Sequence, residues 1–247
     1  MKISNLEYQK FSKQIILKKF GIYGQKKIKS SRVLIIGMGG LGCPLSIYLS
    51  SLGVGAIGIV DNDKVELSNL NRQIVYNIND VGKNKVDIAK KKIKSINNKC
   101  KIKSYKTRAD KSNIEKLIKN FDIICDGTDN FETRLLINDH CLKQKKILIS
   151  AAVSGFDGHI FKFDFRKKTS CYRCFMPEIP LQNNSCDAQG VTPTITGIMG
   201  TLQANEVLNS ILGFKSNMEK KMIIFNSIKM NFRKISLSID KKCKNRC

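Results

Sequence analysis

Three groups of residues have types and spacings that could do chemistry. The first is Gly37-Met-Gly39-Gly40-Leu-Gly42, with Asp61 19 residues beyond Gly42. Glycines spaced this way between a strand and a helix let backbone N–H groups approach phosphate at a helix N-terminus. A carboxylate at the end of the next strand can accept hydrogen bonds from ribose hydroxyls. Alone, this pattern points to a nucleotide and suits a nicotinamide-dependent oxidoreductase equally well.

The run that follows separates the possibilities. Asp61-Asn-Asp63-Lys-Val-Glu-Leu-Ser68-Asn69-Leu70-Asn71-Arg72-Gln73 brings an acid, a hydroxyl, amides and a guanidinium together. Arg72 as a planar fork and Lys85 as a point charge suit a triphosphate clamp, for which a dehydrogenase has no evident need. Asp126-Gly-Thr-Asp129-Asn130 follows an apolar run at 121–125, placing it at the carboxyl edge of a sheet, where open α/β folds bind ligands. Asp129 there could hold Mg²⁺ together with substrate phosphates, and Asn130 reads as a helix cap.

The second group is cysteine. Cys171-Tyr-Arg-Cys174 and Cys243-Lys-Asn-Arg-Cys247 are two pairs separated by 68 residues, the pattern of a closed four-thiolate Zn²⁺ site or of four free thiols. The third is Cys186, alone in Asn183-Asn-Ser-Cys-Asp-Ala-Gln-Gly190, either an inert thiol or a loop nucleophile. Cys43, Cys100, Cys125 and Cys141 fall on regular elements and read as filler, and His140 and His159 have no ligand or triad spacing.

The elements that must position these groups are legible in the apolar pattern. Val33–Ile36, Ala56–Val60, Phe121–Cys125 and Ile147–Ala151 read as buried strands, with a helix from Pro44 to Leu52 after the glycine turn. Val86, Ala89, Ile93 and Ile96 form one helical stripe whose other faces carry lysines. Ser112 and Glu115 fit a capping box. Phe161, Phe163 and Phe165 alternate with Lys162 and Asp164, as in an antiparallel strand. A long irregular stretch from Arg166 to Gln189 precedes an amphipathic helix ending near Gly213, and Met222–Phe225 and Phe232–Ile239 close the chain as strands. The fold class expected is α/β, a mostly parallel sheet continued by antiparallel strands, in a single domain over residues 1–247.

Composition bounds the function. The chain has 247 residues, 42 % hydrophobic and 26 % charged, enough to bury a core without disulfide staples. Its net charge of +24 invites a nucleic-acid reading, but 36 of the 44 cations are lysines scattered as doublets with no recognition motif around them. Nothing approaches a membrane span, and the N-terminus has no apolar signal core. A cytoplasmic protein with reduced thiols is expected, in which paired cysteines point to metal rather than disulfides.

Taken together, these motifs resemble the ThiF/MoeB/HesA family, relatives of ubiquitin-activating enzymes. The resemblance rests on Phe11-Ser-Lys13-Gln14-Ile-Ile-Leu, the glycine turn, Asp61 through Gln73, Gly82-Lys-Asn-Lys85, Asp126 through Asn130, Cys171–Cys174, Gly197-Ile-Met-Gly-Thr-Leu-Gln-Ala204 and the final cysteines. It implies a Rossmann-like fold with a structural Zn²⁺ site. It also implies adenylation, with MgATP, of the C-terminal glycine of a ubiquitin-like sulfur carrier, which a persulfide-bearing sulfur donor then converts to a thiocarboxylate.

Carried over by motif, Gly37, Gly39, Gly40, Asp61, Ser68, Asn69, Leu70, Asn71, Arg72, Lys85, Asp129 and Asn130 bind ATP, Asp129 through the metal. Lys13 stands where the family usually has Arg and reaches the partner's site in a homodimer. Cys186 aligns with a cysteine that ThiF proteins link to their carrier. The Cys174-Phe-Met-Pro177 run leans the resemblance toward ThiF and a carrier for thiamine thiazole synthesis; the molybdopterin-type carrier is the alternative. A tRNA-modifying relative, which would suit the positive charge, lacks the paired cysteines.

Overall fold

The computed structural model describes residues 3–178, 190–216 and 218–245. Five strands run parallel: β1 (Arg32–Ile36), β2 (Ala56–Val60), β3 (Lys101–Tyr105), β4 (Ile123–Asp126) and β5 (Ile147–Ser154). Three more continue the sheet antiparallel: β6 (Asp157–Asp164), β7 (Lys221–Asn226) and β8 (Asn231–Ser236). Their order across the sheet is β3-β2-β1-β4-β5-β6-β7-β8. The expected architecture is present, and the topological switch falls between β1 and β4, whose carboxyl ends open side by side.

The sheet is covered on both faces because its central strands carry apolar residues on both of their faces. Val33 and Ile35 of β1 join one core and Leu34 and Ile36 the other, all at most 2 % exposed. On the first face pack α3 (Gly42–Leu52), α4 (Lys85–Ile96) and the long α8 (Pro193–Leu212) through Leu45, Leu49, Val86, Ile93, Ile195 and Met199. On the second lie α5 (Ile114–Lys119), α6 (Phe131–Lys143) and the short α7 (Tyr172–Phe175). Two N-terminal helices, α1 (Asn5–Ile15) and α2 (Gly21–Ser30), precede β1, and Ile28 of α2 enters the first core. Gly53 and Gly213 close α3 and α8 in the left-handed region.

Several sequence expectations are corrected. Ser112 does not cap α5. Its hydroxyl and amide both donate to Asp110 Oδ1, at 2.6 and 2.8 Å, and Asn113 takes the cap position. A nearer acceptor outcompetes the helix. The stretch from Arg166 is not wholly irregular, since Tyr172–Phe175 form a helical turn anchored by Tyr172 N–H on Asn138 Oδ1 at 2.8 Å. The phenylalanine face of β6 is as expected, with Phe161 and Phe163 rings stacked at 5.8 Å. Its opposite face is not solvated at Lys162, because α8 covers it and Glu206 pairs with Lys162 at 2.7 Å in the interior. Lys90, Lys91 and Lys92 of α4 do face solvent, whereas Lys85 at its start is buried. The last strand ends at Ser236 rather than Ile239, and every residue of β8 is exposed.

Candidate functional site

The carboxyl ends of β1, β2 and β4 surround a cavity of about 450 Å³, within the range of small-molecule sites. Its floor is the glycine turn. Gly37 has φ +93, and a side chain there or at Gly127 would close the gap between the turns after β1 and β4. A Cβ on Gly42 would strike the Gly37 carbonyl, so the turn is held tight enough for α3 to start beneath it. Gly39 faces open space, with Gln73 Nε2 at 3.8 Å from where a Cβ would stand.

Asp61 ends β2 and is held by backbone. Its Oδ2 accepts from Met38 N–H at 2.7 Å and its Oδ1 from Asp63 N–H at 2.8 Å. Burial raises its pKa, and nearby Lys85 with the two N–H donors opposes that rise. Lys85, at the first position of α4, points its ammonium to Asp63 Oδ2 at 2.9 Å along the cavity wall. Arg72 lines the same cavity, its Nη1 donating to the Ser68 carbonyl at 2.9 Å and to Asn71 Oδ1 at 3.2 Å.

The stretch before Arg72 divides its roles. A 3₁₀ turn at Leu67–Asn69 is fixed by buried Asn69, whose Oδ1 accepts from Glu66 N–H at 3.3 Å. Ser68, Asn69, Leu70 and Asn71 are not among the cavity-lining residues; Ser68 and Asn71 brace the Arg72 fork from behind. Gln73 is a residue that motif reasoning passed over. It is 4 % exposed, lines the cavity, and its buried Oε1 has no hydrogen-bond partner among the described residues. Such an acceptor fits a cavity built for a ligand that carries donors.

Asp129 and Asn130 stand on the opposite wall. Asp129 is exposed to the cavity, its carboxylate accepting from Asn130 Nδ2 at 3.4 Å, and a carboxylate so placed fits a Mg²⁺ ion shared with phosphates. Asn130 lines the cavity and also caps α6, accepting from Thr133 N–H at 2.9 Å. Beneath them, Asp126 and Arg134 are buried and tied together through Ser150. Arg134 left no motif signal, since its partners come from other elements.

Lys13 is exposed on α1 and does not line the cavity of its own chain. Cys186 and Cys247 lie outside the described residues. The thiols of Cys171, Cys174 and Cys243 converge with their sulfurs within 4.8 Å of one another, and Cys171 and Cys243 Sγ are 3.7 Å apart. Three sulfurs at this spacing fit three ligands of a tetrahedral Zn²⁺ site. Asp139 of α6 binds both halves together, accepting from Arg173 at 2.7 to 3.0 Å and from Asn245 Nδ2 at 2.7 Å. The remaining described thiols, Cys43, Cys100, Cys125 and Cys141, are buried, and burial raises each above its ordinary pKa.

Fold and site define a Rossmann-like α/β protein with a phosphate-type glycine turn at its topological switch point. The chain belongs to the ThiF family, whose profile matches residues 11–246. It is 42 % identical over 234 residues to the probable molybdopterin-synthase adenylyltransferase of Porphyra purpurea, covering 94 % of this chain and 61 % of that protein. It is 38 % identical over 238 residues to the adenylyltransferase and sulfurtransferase MOCS3 of Culex quinquefasciatus, covering 96 % of this chain and 54 % of that protein. The chain thus spans between half and two thirds of these relatives' length. Among solved structures, a crystal structure of E. coli MccB with MccA-N7isoASN matches with a TM-score of 0.85 at 22 % identity, covering 96 % of this chain and 75 % of that one. That likeness is one of fold.

Proposed function

We propose that this chain adenylates the C-terminal glycine carboxylate of a ubiquitin-like sulfur carrier of the molybdopterin-synthase type. The observation that carries the reading is the convergence of the glycine turn, Asp61, Arg72, Lys85 and Asp129 on one cavity. The sequence alone leans toward the thiamine-type carrier; the molybdopterin-synthase function named for the Porphyra protein favours the other branch.

In this reading a carrier carboxylate oxygen bonds to the α-phosphorus of ATP as the α–β bridging bond breaks, and pyrophosphate leaves with the electron pair. No general base is needed, because the attacking carboxylate is already ionised. Asp61 orients the ribose, and Arg72 and Lys85 neutralise charge that builds on the phosphates. Asp129, with Asn130 beside it, would hold Mg²⁺, which supplies further charge neutralisation at the phosphates. Cys171, Cys174, Cys243 and Cys247 would hold a structural Zn²⁺. Exposed Lys13 serves the partner's cavity in a homodimer, and Cys186 links to the carrier during sulfur transfer from a persulfide-bearing donor.

The test is ATP–pyrophosphate exchange with molybdopterin-type and thiamine-type carriers side by side. Exchange driven by the first carrier is expected, and Asp129→Ala should lower it about a hundredfold or more without unfolding the chain. Exchange only with the thiamine-type carrier reverses the assignment, and near-normal exchange in Asp129→Ala removes the metal role. Cys186→Ser should keep exchange and lose a covalent carrier adduct; an intact adduct rules out that cysteine.

A further inference from the structure

We propose that Arg134 is a positioning residue for Asp129: its buried guanidinium fixes the turn that presents the Asp129 carboxylate to the cavity. The inference rests on reading that cavity as a metal–nucleotide site. Two carboxylates, Asp126 and Asp129, occur within one turn of four residues, and the surroundings assign them different work. Asp126 is fully buried. Its Oδ1 accepts from Thr128 N–H at 2.9 Å and Thr128 Oγ1 at 2.7 Å, and its Oδ2 accepts from Ser150 Oγ at 2.7 Å and lies 3.7 Å from Arg134 Nη1. With both oxygens engaged below the surface, Asp126 is not available to a cation in the cavity.

Arg134 grips the same turn from the other side. It is 3 % exposed, its Nη2 donates to the Thr128 carbonyl at 2.6 Å, and its Nη1 donates to Ser150 Oγ at 3.0 Å and the Ala151 carbonyl at 3.1 Å. Thr128 directly precedes Asp129, and Asn130 directly follows it, held by Thr133 N–H. The backbone is therefore pinned on both sides of Asp129, while its side chain is left to face the cavity. A buried Arg–Asp pair is weak evidence for stability as such. What the planar fork does here is reach three acceptors on two elements at once, which a lysine ammonium on a flexible stem cannot reproduce.

Arg134→Lys keeps the charge and removes the fork. The readout is Mn²⁺ binding to the protein–ATP complex, followed by electron paramagnetic resonance, with ATP binding measured separately in chelator and folding checked by thermal melt. Arg134→Lys should weaken Mn²⁺ binding about tenfold, as loss of supporting partners does at metal sites, while metal-free ATP binding stays within about twofold. Asp129→Ala added to Arg134→Lys should cause less than its full separate loss, because both act through one carboxylate. If Arg134→Lys does not fold, Thr128→Val removes one donor to Asp126 and is expected to weaken Mn²⁺ binding in the same assay. Unchanged Mn²⁺ affinity in a folded variant, or losses that add fully, overturns the proposal. A parent chain that binds no Mn²⁺ with ATP overturns the metal–nucleotide reading itself, and is seen before any variant is made.

Discussion

At the scale of single residues, local motifs were readable and long-range partners were not. Gly37, Gly39, Gly40, Asp61, Arg72, Lys85 and Asp129 line the cavity as their spacing led one to expect, because each is placed by the strand or turn that carries it. Gln73, Arg134 and Asp139 escaped because their significance comes from other parts of the chain; Asp139 meets Asn245 across 106 positions. Four residues read as ligand contacts, Ser68 to Asn71, do not line the cavity, and two of them buttress Arg72. His159 has no site role but carries a pH dependence. Burial and the nearby Arg134 charge hold it at about 4 against an ordinary 6.5. The unfolded chain therefore takes up a proton first as pH falls, so stability is lost progressively from about 6.5 down to 4. His159→Phe should flatten that part of the stability–pH curve in denaturant titrations; an unchanged slope assigns the acid sensitivity elsewhere.

Among elements, apolar runs gave β1, β2, β4 and β5 to within a few residues, because these are buried on both faces and leave no other way to satisfy their side chains, whereas β3, half-exposed and lysine-bearing at the sheet edge, gave no such run. Helix starts were less legible, since a cap depends on which acceptor is nearest. The Ser112–Glu115 pattern lost to Asp110, while Asn130 caps α6 as its position implied. Asn130→Ala should cost about 1 kcal/mol of stability, measured by chemical denaturation of the ligand-free chain. A cost near zero would mean that water or a neighbouring hydroxyl replaces the cap. The same α6, capped by cavity-lining Asn130, carries Arg134 to the turn below Asp129 and Asp139 to the thiol cluster, so one helix connects the two centres.

For the whole molecule, the net charge of +24 is background more than machinery. Arg72, Lys85 and Arg108 are the cations that line the cavity, and no helix among the described residues is long and apolar enough to cross a membrane. The surplus lysines still produce a field. For an acidic carrier, the association rate should fall steeply between low and high salt, because screening acts over about 10 Å at 0.1 M. The turnover rate at saturating carrier should change little. A salt-independent association rate, measured by stopped flow, would show that the lysines do not steer.

The strand order has a consequence for how the chain is made. On a ribosome, β1 emerges first and is flanked by β2 and then β3 on one side. From β4 onward every later strand is added on the other side, each beside the strand outermost at that moment. From β4 onward the sheet therefore lengthens in one direction, and that growing border is a place where a nascent chain could capture a foreign strand. Among the described residues the last strand added is β8, all six of whose residues are exposed, Arg233 and Lys234 beside Phe232 and Ile235. The charge of Arg233 and Lys234 on that border discourages a foreign strand from pairing there.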